Sequence, residues 1–67
     1  MSVARVTEIT CSSTKGFDDA MTQGIARATK TLKNVTGAWI KGHEIVINNA
    51  KVTEYRVRLK VTFVLNE

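Results

Sequence analysis

From Thr53 to Leu65 the chain reads TEYRVRLKVTFVL. Tyr55, Val57, Leu59, Val61, Phe63 and Leu65 are apolar at every second position, and Glu54, Arg56, Arg58, Lys60 and Thr62 between them are polar. A period of two sustained this far specifies a β-strand with one face buried. At about 3.3 Å per residue such a strand runs roughly 43 Å. The one helical pattern in the chain spans ~20 residues, about 30 Å of helix, and cannot cover the sheet alone. With 67 residues and one cysteine, Cys11, no disulfide within the chain can supply stability, and domains this small commonly lean on self-association. Another copy of the chain is the expected cover.

The remainder of the sequence supplies partners for that strand. Val3 to Thr10 is rich in β-branched residues and forms a first strand, although Val6 and Ile9 fall on opposite faces. Cys11 to Gly16 is a turn in which Ser12, Ser13 or Thr14 can cap a helix, and Asp18 and Asp19 suit its positive end. Phe17, Ala20, Met21, Gly24, Ala28 and Leu32 then recur at spacings of three and four, which draws one apolar stripe along a helix. Lys30 and Lys33 favour its negative end, and Asn34 is its expected stop. AWIKGHEIVI follows as a second strand, with Asn48 to Lys51 as a hairpin turn into the third. The expected fold is α+β, a β-α-β-β unit whose three-stranded, antiparallel-type sheet wraps around one helix, with a crossover through that helix. Residues 1–67 form one domain.

Composition limits the function classes. A hydrophobic fraction of 43%, no proline and four glycines describe an ordered fold without a linker. The formal charge of +4 suits an anionic ligand or nucleic acid. No apolar run approaches the ~20 residues of a membrane span and no signal-peptide pattern opens the chain, so a cytoplasmic location is expected. A lone cysteine fits a reducing compartment.

One aromatic residue stands apart. With Ala38 and Ile40 turned to the helix, Trp39, Lys41 and His43 are expected together on the opposite face, with Arg56, Arg58 and Lys60. A tryptophan among cationic side chains can pack against a neighbouring subunit, stack under a guanidinium, or receive a flat aromatic ligand.

The order of elements, the run SSTKGFDDAM entering the helix and the terminal EYRVRLKVTFVL resemble the dodecins over essentially the whole chain. The resemblance implies a hollow homododecamer of tetrahedral symmetry with a non-enzymatic role, binding and storing flavins such as riboflavin or FMN. In flavin-binding dodecins, pairs of isoalloxazine rings lie between tryptophans of symmetry-related subunits, and a glutamine on the last strand hydrogen-bonds the ring. Counted without gaps from Phe17, the family's tryptophan falls on Gly37 and its glutamine on Arg56. Trp39 keeps the same sheet face but stands about 7 Å further along the strand. Arginine keeps donors at position 56 but removes the acceptor that a ring N–H needs. The expected site is therefore Trp39 as the stacking surface beside Gly37, Arg56 at the ring or a phosphate, and Lys41 and His43 along the wall. The alternative is a dodecin without flavin, in a structural or calcium-linked role, because arginine at this position resembles a dodecin branch associated with calcium.

Other chemistry has less support. One histidine and one cysteine, far apart in sequence, with no glycine-rich or seryl motif, do not compose a catalytic set. Cys11 reads as a buried thiol, with a reactive thiolate near the helix start as the alternative. Asp18 and Asp19 read as first-turn residues rather than a metal site, since nothing resembles a calcium loop. Nucleic acid is a third class of ligand, resting on Arg56, Arg58 and Lys60 near Trp39, but only one ring is left to stack on bases.

Overall fold

The computed structural model describes residues 3–65. Strand β1 spans Ala4–Ser13, helix α1 Phe17–Thr31, strand β2 Val35–Asn48 and strand β3 Lys51–Val64. The strand with the long alternation lies in the centre, in the order β1-β3-β2, and both neighbours run antiparallel to it. The crossover through α1 makes β1 and β2 parallel in direction while β3 separates them.

Alternation along β3 sets the two faces. Val57, Leu59 and Val61 are buried beneath α1 with Cys11, Ala20 and Ala28, and Ile9, Phe17, Met21, Ile25, Leu32 and Val35 border that cluster. Small residues let the helix come close. A Cβ added at Gly24 would collide with Cys11 Sγ, so the glycine fixes the height of α1 above β1.

The helix ends earlier than its pattern suggests. α1 stops at Thr31, and Leu32, already extended, donates its N–H to Ala28 O at 2.9 Å. Lys33 therefore lies past the last turn. Asn34 adopts a left-handed φ of 62° and turns the chain into β2, its carbonyl accepting from Val64 N at 3.0 Å. None of the expected caps operates, because Gly16 occupies the N-cap position. Ser13 Oγ instead accepts from Lys15 N at 2.9 Å and donates to Asp19 Oδ2 at 2.6 Å, tying the end of β1 to the first turn.

Length decides what the helix covers. Fifteen residues make about 22 Å of helix, whereas β3 has 14 residues, about 46 Å of strand. The protomer measures 51 × 19 × 13 Å. α1 packs on β1 and β3 and makes no substantial contact with β2. Since β1 pairs with β3 only as far as Ser13↔Tyr55, the far ends of β2 and β3 project as a two-stranded arm. Ile40, Ile45, Ile47 and Val52 are 44%, 43%, 61% and 44% exposed.

Substitutions at Gly24, Cys11 and Ala50 test the packing and the hairpin by denaturant unfolding. Gly24→Ala is expected to cost about 1–3 kcal/mol through overpacking, and Cys11→Ala in the same chain to recover only part of it, because the Cβ of residue 11 itself stands 2.8 Å from the added methyl; equal stability of Gly24→Ala and the parent would contradict the close approach. Asn49 and Ala50 form the hairpin turn with φ of 53° and 61°, a conformation that costs alanine about 1 kcal/mol. Ala50→Gly is expected to stabilise by about that amount.

Candidate functional site

The face turned away from α1 carries the charge. Along β3 it presents Glu54, Arg56, Arg58, Lys60 and Thr62, with Ser12, Thr10, Glu8 and Val6 of β1 on one side. Trp39 of β2 lies opposite Lys60, and Gly37 lies opposite Thr62. The indole is 51% exposed. A Cβ at Gly37 or Gly42 would meet nothing within 4 Å, so the surface is open to either side of the ring. A shallow hollow of about 190 Å³ beyond it is lined by Gly42, His43, Glu44 and Arg58.

Ion pairs stitch this face across the strands. Lys41 Nζ stands 3.2 Å from Glu8 Oε1, reaching over β3 to β1, and Arg58 Nη2 stands 3.3 Å from Glu44 Oε1. Arg56 Nε lies 3.3 Å from Glu54 Oε1 within β3. All are partly solvated and therefore weak, and their main effect is to orient the side chains. Ser12 and then Arg56 hold the Glu54 carboxyl below its ordinary range. Lys60, opposite the tryptophan, has no ion-pair partner among the described residues.

The expected site residues separate into three groups. Trp39, Gly37 and Lys41 do share the outer face. Arg56 is on that face too, but it is four β3 positions from Trp39's partner Lys60, roughly 13 Å along the strand. His43 is a correction. A β-bulge at Lys41, between Ile40↔Leu59 and Gly42↔Arg58, shifts the alternation by one residue. His43 thereby pairs with Val57 on the helix side, where its ring meets Phe17 edge-on at 4.7 Å. The signal for this bulge was the glycine at 42 inside a strand pattern.

Other candidates are placed plainly. Cys11 is six residues before α1, inside β1, and burial pushes its thiol pKa up. That is the setting of an inert thiol rather than a nucleophile at a helix start. Asp19 Oδ2 accepts from Ser13 Oγ and from Gln23 Nε2 at 2.9 Å, and the Ser13 bond leads in lowering its pKa. Among the described residues no group of three or more His, Cys, Asp or Glu could hold a metal ion, and no helix is long and apolar enough to cross a membrane.

The family model for dodecin matches residues 3–66. The chain belongs to the dodecin family. Solved dodecins share the fold closely: the dodecin from Streptomyces davaonensis is 33% identical over 98% of this chain and 97% of its own, with a TM-score of 0.93. A point variant of the dodecin from Thermus thermophilus is 34% identical over the full length of both chains, also with a TM-score of 0.93. The calcium dodecin from Mycobacterium tuberculosis, described with a novel calcium-binding site, covers 97% of this chain and 93% of its own. At 23% identity and a TM-score of 0.85 it is similar in fold alone. No curated protein matches the chain.

The electrostatics of this dodecin's outer face can be read through Glu54. Its carboxylate contribution to stability is full above the ordinary glutamate pKa and is lost as pH falls through the lowered value. Ser12→Ala is expected to move the Glu54 titration, followed by carboxyl NMR, back towards the ordinary range, and by more than Arg56→Gln does. An unmoved titration in Ser12→Ala would exclude the serine as the main cause.

Proposed function

We propose that this dodecin is a non-enzymatic homododecamer that binds and buffers a small planar ligand, with riboflavin or FMN as the first candidate. The observation that carries the reading is Trp39. A half-exposed indole on a cationic face, with open backbone at Gly37 and Gly42 on either side, offers a surface on which a flat ring can stack. Lys41 and Lys60, the latter without an ion-pair partner among the described residues, border it and suit an anionic group on the ligand.

The separation of Arg56 from Trp39 supports a site shared between copies. Arg56 stands clear of the face of Trp39 and is placed to meet a ring held by a neighbouring protomer, and the apolar row on β2 and the arm supplies a reason for protomers to meet. In this reading the Trp39 face lines the ligand site and the opposite face of β2 lies against neighbours. His43 turns its ring to Phe17 on that opposite face and is not part of the stacking surface.

Trp39 is the sole tryptophan, so its fluorescence reports the site directly. Titration with riboflavin is expected to quench both Trp39 and flavin emission. Trp39→Ala is expected to weaken binding about tenfold, the loss of about 1.5 kcal/mol of aromatic stacking, while the particle keeps its mass. Absence of quenching by riboflavin and FMN at micromolar protein would reject the flavin assignment; loss of mass in Trp39→Ala would make the residue an assembly contact instead.

A further inference from the structure

Lys60 holds a central place on the outer face. Glu8 of β1 flanks it on one side and Trp39 of β2 on the other, so the three form one row across the sheet. Residues directly opposite in an antiparallel pair have Cβ atoms about 4.5–5.5 Å apart, which sets Lys60 within reach of both neighbours. Glu8 is the carboxylate that the register offers it. That pair is not made: Glu8 Oε1 takes Lys41 Nζ at 3.2 Å instead. Glu54 is held by Arg56 and Glu44 by Arg58. These are the carboxylates of the outer face among the described residues, and each is engaged by a cation other than Lys60. The Lys60 side chain is half-buried, an arrangement in which a lysine packs its apolar stem and keeps its ammonium in water.

We propose that Lys60 is the residue by which the Trp39 surface selects a planar ligand carrying an anionic group over its neutral counterpart, and that the Lys41–Glu8 ion pair keeps Lys60 available for it. The inference rests on the stacking role proposed above for Trp39. A ring lying on the indole brings its substituents over the same row. An ammonium without a carboxylate partner gains a charge-assisted hydrogen bond from a phosphate placed there. From a neutral hydroxyl it gains little that water does not already give.

The two lysines have different parts in this selection. Lys60 binds the anion. Lys41 acts through Glu8 and is a positioning residue: without it the Glu8 carboxylate is free to turn to Lys60, its partner in register, and an anionic ligand must compete with an internal anion. On a face open to solvent the preference is modest, and salt screens it.

Riboflavin and FMN share a ring and differ by one phosphate, so quenching titrations of the full chain with each, at low salt, read the selection as a ratio of affinities. FMN is expected to bind at least about fivefold tighter than riboflavin in the native chain, and the preference to shrink in molar salt. Lys60→Met, which keeps an apolar stem, is expected to bring the two within about twofold by weakening FMN, and Lys60→Arg to retain the preference. Lys41→Met is expected to lose most of the preference as well, and Glu8→Gln in the same chain to restore it. Light scattering checks the mass of each variant against the parent. Equal affinities of the native chain for the two flavins, or a Lys60→Met variant that still prefers FMN, overturn the selection and leave the stacking surface standing. A double variant as indifferent as Lys41→Met makes Lys41 a direct contact and overturns its positioning role. Failure of either flavin to quench the native chain removes the stacking role of Trp39 and the selection with it.

Discussion

A short helix laid on a long sheet is the constraint from which the other features follow. α1 is held close over β1 and β3 by Ala20, Gly24 and Ala28, and Cys11 fills the space that Gly24 leaves. Close approach gives a chain of 67 residues a dry core around Val57, Leu59 and Val61. The same placement withholds cover from β2. Its helix-side residues and the arm beyond Tyr55 leave Ile40, Ile45, Ile47 and Val52 exposed along one face.

The two faces of the sheet thus have different chemistry. The helix side is apolar and half finished, whereas the outer side is charged, cross-linked by weak ion pairs and interrupted by Trp39. Glu8, Glu44 and Glu54 are each engaged by a cation, which leaves Lys60 as the described positive charge closest in register to the indole. The bulge at Lys41 joins the two faces functionally: it keeps Lys41 beside Trp39 and sends His43 across to the other side.

Much of this was legible in the sequence. The alternation of β3, the spacing from Phe17 to Ala28 and the asparagines at the hairpin gave the β-α-β-β order and the helix-facing residues, because burial imposes those periods directly. The shared face of Gly37, Trp39 and Lys41 followed from strict alternation before the bulge. His43 did not, since one extra residue inverts every later position and only Gly42 hinted at it. Asn34 as a left-handed turn was legible; the end of α1 three residues earlier was not, because the Lys33 and Leu32 positions satisfy a helical pattern equally well. The role of Ser13 as a clamp on Asp19 rather than a cap depends on the path of the turn, which residue type alone does not specify.

The central claim is that the uncovered face of β2 obliges protomers to cover one another. Light scattering of the purified chain at mildly alkaline pH and micromolar concentration tests it most directly. A single species of about twelve times the 7.4 kDa chain mass is the expected result. A folded 7.4 kDa monomer under those conditions would contradict it.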